Sequence, residues 1–234
     1  MKILIGFYDY TMLLTYLSLL SAVTGIILST SGMGHPYLGC FFLLLCGLCD
    51  TFDGIVARSK PDRTETQKAF GMQIDSLSDL VAFGVLPGTI AVGLYTSGGR
   101  HFAPLTTEGR FSYPVVLFVA GVLFYILAAM IRLAYFNVLE LENRGRDENG
   151  RKQYTGLPVT AAALIFPFLL LFNFVTLRDF SILYFLGMPV VGLLFLGRFH
   201  IRKPDRRTLI LLLAAGAIEF VLLLVLWLQM LRRG

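Results

Sequence analysis

The sequence predicts an all-α polytopic membrane protein, built as a bundle of about seven helices, within a range of roughly six to eight. The chain of 234 residues is 56% hydrophobic and only 15% charged, with a mean hydropathy of +0.73. Soluble domains carry about 25% charged residues. An apolar helix of about 20 residues crosses a bilayer, and several such runs follow one another. Little chain is left for a soluble domain.

The predicted spans follow the apolar runs in order. Residues 1–9 are expected to form an interfacial lead-in, and residues 10–234 a single transmembrane domain. The spans are predicted at 10–30, 36–57, 72–97, 113–138, 157–177, 180–197 and 208–231. Each is separated from the next by a segment that is polar, basic or too short to span.

The basic residues of the loops predict the orientation. Three loops, 58–70, 139–156 and 198–207, hold clusters of lysine and arginine, whereas the alternating loops hold only Arg100, Arg110 and Arg178. Basic loops stay in the cytoplasm, so these three loops and the N-terminus are placed there, in a multi-pass protein of the cell membrane. With seven spans, Arg232 and Arg233 would lie on the extracellular side, against the charge bias. A missed span or a terminal half-helix would remove this disagreement. The net charge of +5 is explained by these loops and by contact with anionic lipid, so no nucleic-acid partner is predicted.

Acidic and small residues form stripes on two neighbouring spans. The second span ends with Asp50, Asp53, Gly54, Ala57 and Arg58. Because a helix turns about 100° per residue, these five positions fall within about 140° of one another. The third span opens with Gly71, Asp75 and Asp79 at spacing i, i+4, i+8, which forms a second stripe, and Ser78 falls on the same face. If the two helices lie antiparallel, four carboxylates converge near one membrane surface.

Four carboxylates in a poorly solvated site repel one another. A hard divalent cation removes that conflict, because Mg²⁺ and Mn²⁺ take oxygen ligands and bridge to substrate phosphates. The four aspartates are therefore predicted to bind Mg²⁺ or Mn²⁺. A single D-x-x-D at a span end is commonly a water-facing turn, but two stripes with small residues in register favour a functional site. The small residues leave room for a ligand, and Arg58 could pair with its phosphate.

At these residues the sequence resembles the CDP-alcohol phosphotransferase family. The motif D-x-x-D-G-x-x-A-R, followed by a spacer and G-x-x-x-D-x-x-x-D, is filled at every position. The spacer, SKPDRTETQKAF, has 12 residues, longer than the family's usual spacer of about eight, a difference that a loop tolerates. Three segments are similar to the phosphatidylserine synthase branch: FGMQIDSLSDLVAFGVLP, IRLAYFNV with Tyr135 in place of an arginine, and YTGLPVTAAA with Thr160 in place of a proline.

The resemblance implies a fold, a reaction and a set of roles. It implies the CDP-alcohol phosphotransferase fold, a homodimer, and transfer of a phosphatidyl group from CDP-diacylglycerol to L-serine with release of CMP. Asp79 is expected to be the general base as well as a metal ligand. The nucleotide site is expected to consist of Asp50, Asp53, Gly54, Ala57, Arg58, Gly71 and Asp75. Ser78 and Arg132 are candidates for contact with a substrate phosphate or with serine.

Two other functions stay open at this stage. Within the family, the chain could make phosphatidylglycerophosphate, phosphatidylinositol phosphate or an archaeal-type lipid such as archaetidylserine. In another class, carboxylates within spans also mark cation or proton-coupled transporters. The acidic stripes lie near one surface and no inverted repeat is visible, which argues against a transporter.

Overall fold

A computed structural model describes residues 5–31, 37–60, 62–98, 106–107, 110–111, 113–141, 153–175, 181–202 and 205–233. Within these ranges the fold is almost entirely helical. The helices are α1 (Leu13–Thr30), α2 (Tyr37–Arg58), α3 (Glu65–Asp79), α4 (Leu86–Gly98), α5 (Tyr113–Leu141), α6 (Ala162–Val175), α7 (Ser181–Leu196) and α8 (Arg206–Arg233). A 3₁₀ turn, Tyr10–Met12, leads into α1, and another, Val159–Ala161, leads into α6.

The helices confirm the predicted all-α polytopic class. Five helical segments of the described chain are long and apolar enough to cross a membrane: Tyr10–Thr30, Tyr37–Arg58, Glu65–Thr96, Val115–Glu140 and Arg207–Gln229. Two shorter apolar helices, Val159–Phe172 and Ile182–Leu196, fall where the fifth and sixth spans were predicted. Each of these two contains a proline, Pro167 or Pro189.

The third span begins earlier than predicted. It was expected from residue 72, whereas α3 begins at Glu65, so the loop after α2 is limited to residues 59–64. A capping box explains the difference: the Thr64 hydroxyl accepts from the Gln67 backbone N–H, and the Gln67 side chain accepts from the Thr64 N–H. The pattern T-x-x-Q is a sequence sign of a helix start. Hydropathy did not detect this start, because the first turns of α3 are polar and lie outside the apolar run.

A π-helical turn, Leu80–Val85, joins α3 to α4 directly after Asp79. Its cause is local. Pro87 has no N–H, so the Phe83 carbonyl loses the partner that an α-helix would give it at position i+4. The Tyr125 hydroxyl, from α5, donates to this Phe83 carbonyl instead. The Tyr184 hydroxyl, from α7, donates to the Pro87 carbonyl at 3.0 Å. Side chains from two other helices therefore serve one carbonyl of the π-turn and one carbonyl of the first turn of α4.

The remaining helices pack around this continuous third span. α1 packs mainly on α2 and also on α4, α5 packs on α7, and α8 covers α2 and α6. The core between them is apolar and rich in aromatic rings, with Phe83, Tyr125, Phe166 and Tyr184 fully buried. Tyr125 meets Phe166 edge-to-face, with ring centroids 5.2 Å apart. Most of the α8 surface is exposed, as expected for a helix whose outer face meets lipid.

Short strands tie two loops together. β1 (Thr106–Thr107) pairs with β2 (Arg110–Phe111), and β3 (Gln153–Thr155) pairs antiparallel with β4 (His200–Arg202). Gly156 follows β3 with φ of +75°, and its N–H donates to the Phe199 carbonyl at 2.7 Å. A Cβ at this position would lie 2.8 Å from the carbonyl oxygens of Phe195 and Gly197. The chain can therefore turn here only with glycine.

Several predicted features lie outside the described residues. These are residues 1–4 of the expected lead-in, the loop 31–35 after Ser31, and the basic residues Arg144, Arg146, Arg151, Lys152 and Lys203. The described part of the lead-in is held in place. Asp9 caps the first 3₁₀ turn through the Thr11 N–H and pairs with Lys60, and Phe7 packs edge-to-face on Phe70.

Candidate active site

The two acidic stripes meet, as the sequence predicts. Ligand oxygens of Asp50, from α2, and of Asp75 and Asp79, from α3, all lie within 4.8 Å of one another. Asp53 lies one turn beyond Asp50 on α2 and lines the same cavity as Asp75 and Asp79. The helical repeat places each pair on one face, and the short loop 59–64 reverses the chain so that the faces approach each other. The structure thus brings three of the four predicted carboxylates together, and the fourth, Asp53, lines the cavity beside them.

The chemistry of this donor set fits a divalent cation. Its members are carboxylates only, and Asp79 is only 8% exposed. Anionic oxygens held this close repel one another unless protons or a cation intervene. Oxygen-only ligands are those that Mg²⁺ and Mn²⁺ prefer. The three-aspartate cluster could therefore hold such an ion, with Asp53 at its edge.

A cavity of about 730 Å³ opens beside the aspartates. Three of the four carboxylates, those of Asp53, Asp75 and Asp79, line it. Its other walls come from the 3₁₀ turn before α1, the last turns of α2, the first turns of α3, the end of α5, and Thr155 of β3. The volume is in the range of small-molecule sites. Each predicted nucleotide-site residue except Asp50 lines this cavity, so the motif and the cavity coincide.

The glycines of the motif make room for arginines. A Cβ on Gly54 would lie 3.3 Å from the Arg58 guanidinium, and a Cβ on Gly71 would collide with the Arg63 guanidinium. Arg58 is the arginine of the motif. Arg63 belongs to the loop 59–64, and its Nη2 donates to the Gln67 carbonyl at 3.3 Å. Both arginines line the cavity. The small residues therefore accommodate guanidinium groups as well as leaving space for a ligand.

Arg132 lies in the cavity wall. It is only 5% exposed, its Nε donates to the Leu157 carbonyl at 3.3 Å, and its guanidinium lies 5.4 Å from the centre of the Phe136 ring. These contacts connect the segment IRLAYFNV to the segment YTGLP. A buried cation in the wall of an acidic cavity is suited to an anionic ligand. The position is compatible with the predicted contact to a substrate phosphate or to serine.

Ser78 has a different environment from the one expected. Its side chain is 3% exposed and its hydroxyl donates to the Thr15 carbonyl of α1 at 3.1 Å. The cavity wall described above does not include it. The physical reason is angular, since Ser78 precedes Asp79 by about 100° of helix rotation. The bond joins α3 to α1, and the geometry gives the predicted substrate contact no support.

Sequence reasoning missed other residues of the site. Thr11 lines the cavity from the 3₁₀ turn and Thr15 from the first turn of α1. Arg63 lines it from the loop 59–64 and Lys68 from the first turn of α3. Asn137 lies within α5, which continues to Leu141, and its side chain bonds to Ser76. The missed capping box would have placed residues 65–70 on the helix. Nothing in the local sequence indicates Thr11 or Thr15.

Comparison with known proteins identifies the same family that the sequence motif resembles. Residues 10–195 match the CDP-alcohol phosphatidyltransferase family. An archaetidylserine synthase from Methanothermobacter thermautotrophicus is 34% identical over 151 residues, which cover 63% of this chain and 53% of that protein. No solved structure matches the chain.

Two further relatives are named CDP-diacylglycerol–serine O-phosphatidyltransferase. The protein from Saccharomyces cerevisiae is 30% identical over 161 residues, covering 67% of this chain and 51% of that protein. The protein from Helicobacter pylori is 34% identical over 128 residues, covering 55% and 44%. The chain thus spans about half the length of the curated relatives it matches. The family match itself covers the acidic stripes, the cavity and seven of the eight helices, and the chain belongs to the CDP-alcohol phosphatidyltransferase family.

Proposed function

We propose that this protein transfers a phosphatidyl group from CDP-diacylglycerol to the hydroxyl of L-serine, which gives phosphatidylserine and CMP. One observation carries the proposal: the convergence of Asp50, Asp75 and Asp79 beside a cavity large enough for a nucleotide. The family membership supplies the class of reaction. The names of the three relatives support serine as the acceptor, since each is named as an enzyme that joins serine to a lipid.

A bound Mg²⁺ or Mn²⁺ would neutralise the donor's diphosphate and stabilise the charge on departing CMP. Asp50, Asp75 and Asp79 would hold the ion, with Asp53 as the fourth carboxylate. Gly54, Ala57, Arg58 and Gly71 would line the nucleotide site. Their small side chains and the Arg58 guanidinium fit a flat nucleoside with a charged phosphate.

Asp79 is the proposed general base. It is the most buried of the three aspartates that line the cavity, at the end of α3 and next to the π-turn. Its carboxylate would take the proton of the serine hydroxyl while the serine oxygen attacks the β-phosphorus. The bond from that phosphorus to the bridging oxygen breaks, and CMP leaves with the bridging oxygen. Arg132, in the same wall, would pair with the serine carboxylate or a donor phosphate.

The setting of the enzyme is also part of the proposal. The distribution of lysine and arginine supports a multi-pass protein of the cell membrane whose active site faces the cytoplasm. The family resemblance supports a homodimer. The structure supports a membrane location, because five described helical segments are long and apolar enough to span a bilayer.

Archaetidylserine synthesis is the alternative that a specific observation favours. The relative from Methanothermobacter thermautotrophicus carries that name and shares 34% identity. The two reactions share serine and CMP and differ only in the donor lipid. A cation or proton-coupled transporter is not favoured, because the family match covers the acidic stripes.

The test is release of CMP by the purified full chain with CDP-diacylglycerol and labelled L-serine. Label is expected in the lipid phase together with CMP in the aqueous phase, in equal amounts. Both should disappear with EDTA and return with Mn²⁺ or Mg²⁺. Parallel reactions replace serine by glycerol 3-phosphate or inositol phosphate, or replace the donor by its archaetidyl counterpart. CMP release with another acceptor but not with serine would contradict the proposed acceptor.

A further inference from the structure

Two arginines face the same cavity, each lying against a glycine. Arg58 lies against Gly54 on α2, and Arg63 lies against Gly71 on α3. The two glycines lie on different helices that line the cavity, as do Asp53 and Asp75. Arg58 is the last residue of α2, whereas Arg63 comes from the loop 59–64. Both guanidinium groups therefore lie beside glycines of the cavity wall.

Arg63 has donor capacity left for a ligand. The hydrogen bond of its side chain is from Nη2 to the Gln67 carbonyl. A guanidinium has five N–H donors. Among the residues that the structure describes, the two ion pairs are Lys60–Asp9 and Lys68–Glu65, and Arg63 belongs to neither. A cavity-facing cation with this much unused donor capacity is suited to an anion.

We infer that Arg63 binds the diphosphate of the nucleotide donor together with Arg58. This inference rests on the proposed function, because it takes the nucleotide as the occupant of the cavity. Phosphate is favoured over the carboxylate of the acceptor for a geometric reason. Arg63 lies over Gly71, at the opposite end of the acidic stripe of α3 from Asp79, two helical turns away.

The test measures binding of CDP and of cytidine to the purified full chain in Mg²⁺, by equilibrium dialysis. Arg63→Ala is expected to weaken CDP binding about 10- to 100-fold, the effect of removing a charge-assisted hydrogen bond. Cytidine lacks phosphates, so its binding should stay within about twofold. Arg63→Lys should recover part of the CDP affinity, because lysine keeps the charge but not the planar fork. Arg198→Ala, an exposed arginine outside the cavity, is the matched control and should bind CDP like the wild type.

Steady-state kinetics separate Arg63 from the acceptor site. Arg63→Ala should raise KM for CDP-diacylglycerol and leave KM for serine unchanged. A changed KM for serine alone, or an equal loss of CDP and cytidine affinity, would overturn the assignment to the diphosphate. If Arg63→Ala does not fold, Arg63→Lys and Arg63→Gln carry the same comparison.

The two proposals fail differently. If the wild type releases CMP from the donor and Arg63→Ala binds CDP equally well, only the Arg63 assignment falls. If the wild type neither binds CDP nor releases CMP, the proposed function falls and the Arg63 assignment falls with it.

Discussion

Ser76 and Asn137 hydrogen bond to each other and join α3 to α5 at the cavity wall. Asn137 Nδ2 donates to Ser76 Oγ at 2.8 Å, and Ser76 Oγ donates to Asn137 Oδ1 at 3.0 Å. Ser76 directly follows Asp75, so the bond fixes the rotation of the helix that carries Asp75 and Asp79. Asn137 is in this respect a positioning residue for the acidic cluster.

Asn137→Ala is therefore expected to lower kcat about 10- to 100-fold, because small displacements of reacting groups are costly. KM for CDP-diacylglycerol should change less than kcat. The loss of one hydrogen bond should also cost about 1 kcal/mol of stability. Kinetics and thermal unfolding of Asn137→Ala, Ser76→Ala and the double variant provide the measurement. The double variant should lose little more than either single one, and additive losses would show that the two side chains act separately.

Asp79→Asn is expected to reduce turnover at least about 100-fold, because the amide cannot accept the proton of the serine hydroxyl. CDP-diacylglycerol should still bind, since Asp53 and Asp75 remain in the cavity wall. CMP release and donor binding are measured on the same preparation. Asp205→Asn is the matched control, because Asp205 caps α8 at the surface through the Thr208 N–H and asparagine caps equally well. Turnover within tenfold of the wild type in Asp79→Asn would remove Asp79 as the base.

Tyr125→Phe is expected to destabilise the π-turn, because it leaves the buried Phe83 carbonyl without its donor. The cost of such a group is about 1–3 kcal/mol, which corresponds to a fall in Tm of roughly 2–12 °C for a chain of this size. Tyr16→Phe is the control, since among the described residues the partner of that hydroxyl is the Met12 sulfur, at 3.8 Å.

A second variant tests the reason for the π-turn. In the Pro87→Ala background, the alanine N–H can serve the Phe83 carbonyl. Tyr125→Phe should then cost less than it does in the wild type. An undiminished cost would mean that Tyr125 stabilises the core by its packing against Phe166, and not by replacing the donor that Pro87 lacks.

The Asp9–Lys60 pair makes the stability of the N-terminal turn depend on pH. The hydrogen bond from Lys60 lowers the pKa of Asp9 below its ordinary value of 3.8. A carboxyl whose pKa is lowered by folding stabilises the fold above its unfolded pKa, and this contribution is lost as the pH falls through the folded pKa. The difference in Tm between the wild type and Asp9→Asn should therefore be constant from pH 7 down to about 4 and shrink below it. A difference that vanishes between pH 7 and 5 would point to another group.

Local sequence was enough for the spans and for the acidic stripes. Hydropathy places helices near their observed positions, because a run of apolar residues must satisfy its backbone internally in lipid. The spacing of Asp75 and Asp79 puts both on one face, because that relation depends only on the helical repeat. The start of α3 was also readable from Thr64 and Gln67, although hydropathy placed it too late.

Contacts between segments that are distant in the chain could not be predicted from the local sequence. The contact of Asn137 with Ser76 and the position of Thr11 in the cavity wall depend on how helices from different parts of the chain approach one another. Ser78 shows the limit most clearly: the helical repeat places it beside the stripe, and only the position of α1 turns its hydroxyl to the Thr15 carbonyl.

By itself, then, the sequence determined the membrane-spanning helices, the acidic faces and the family. The tertiary structure alone decided which polar groups share the cavity with those faces, and which groups pair with one another and stay outside it. The physical reason is that helical periodicity acts over a few residues and is encoded locally. The partner of a buried polar group comes from another part of the chain, and it is set by the packing of the whole bundle.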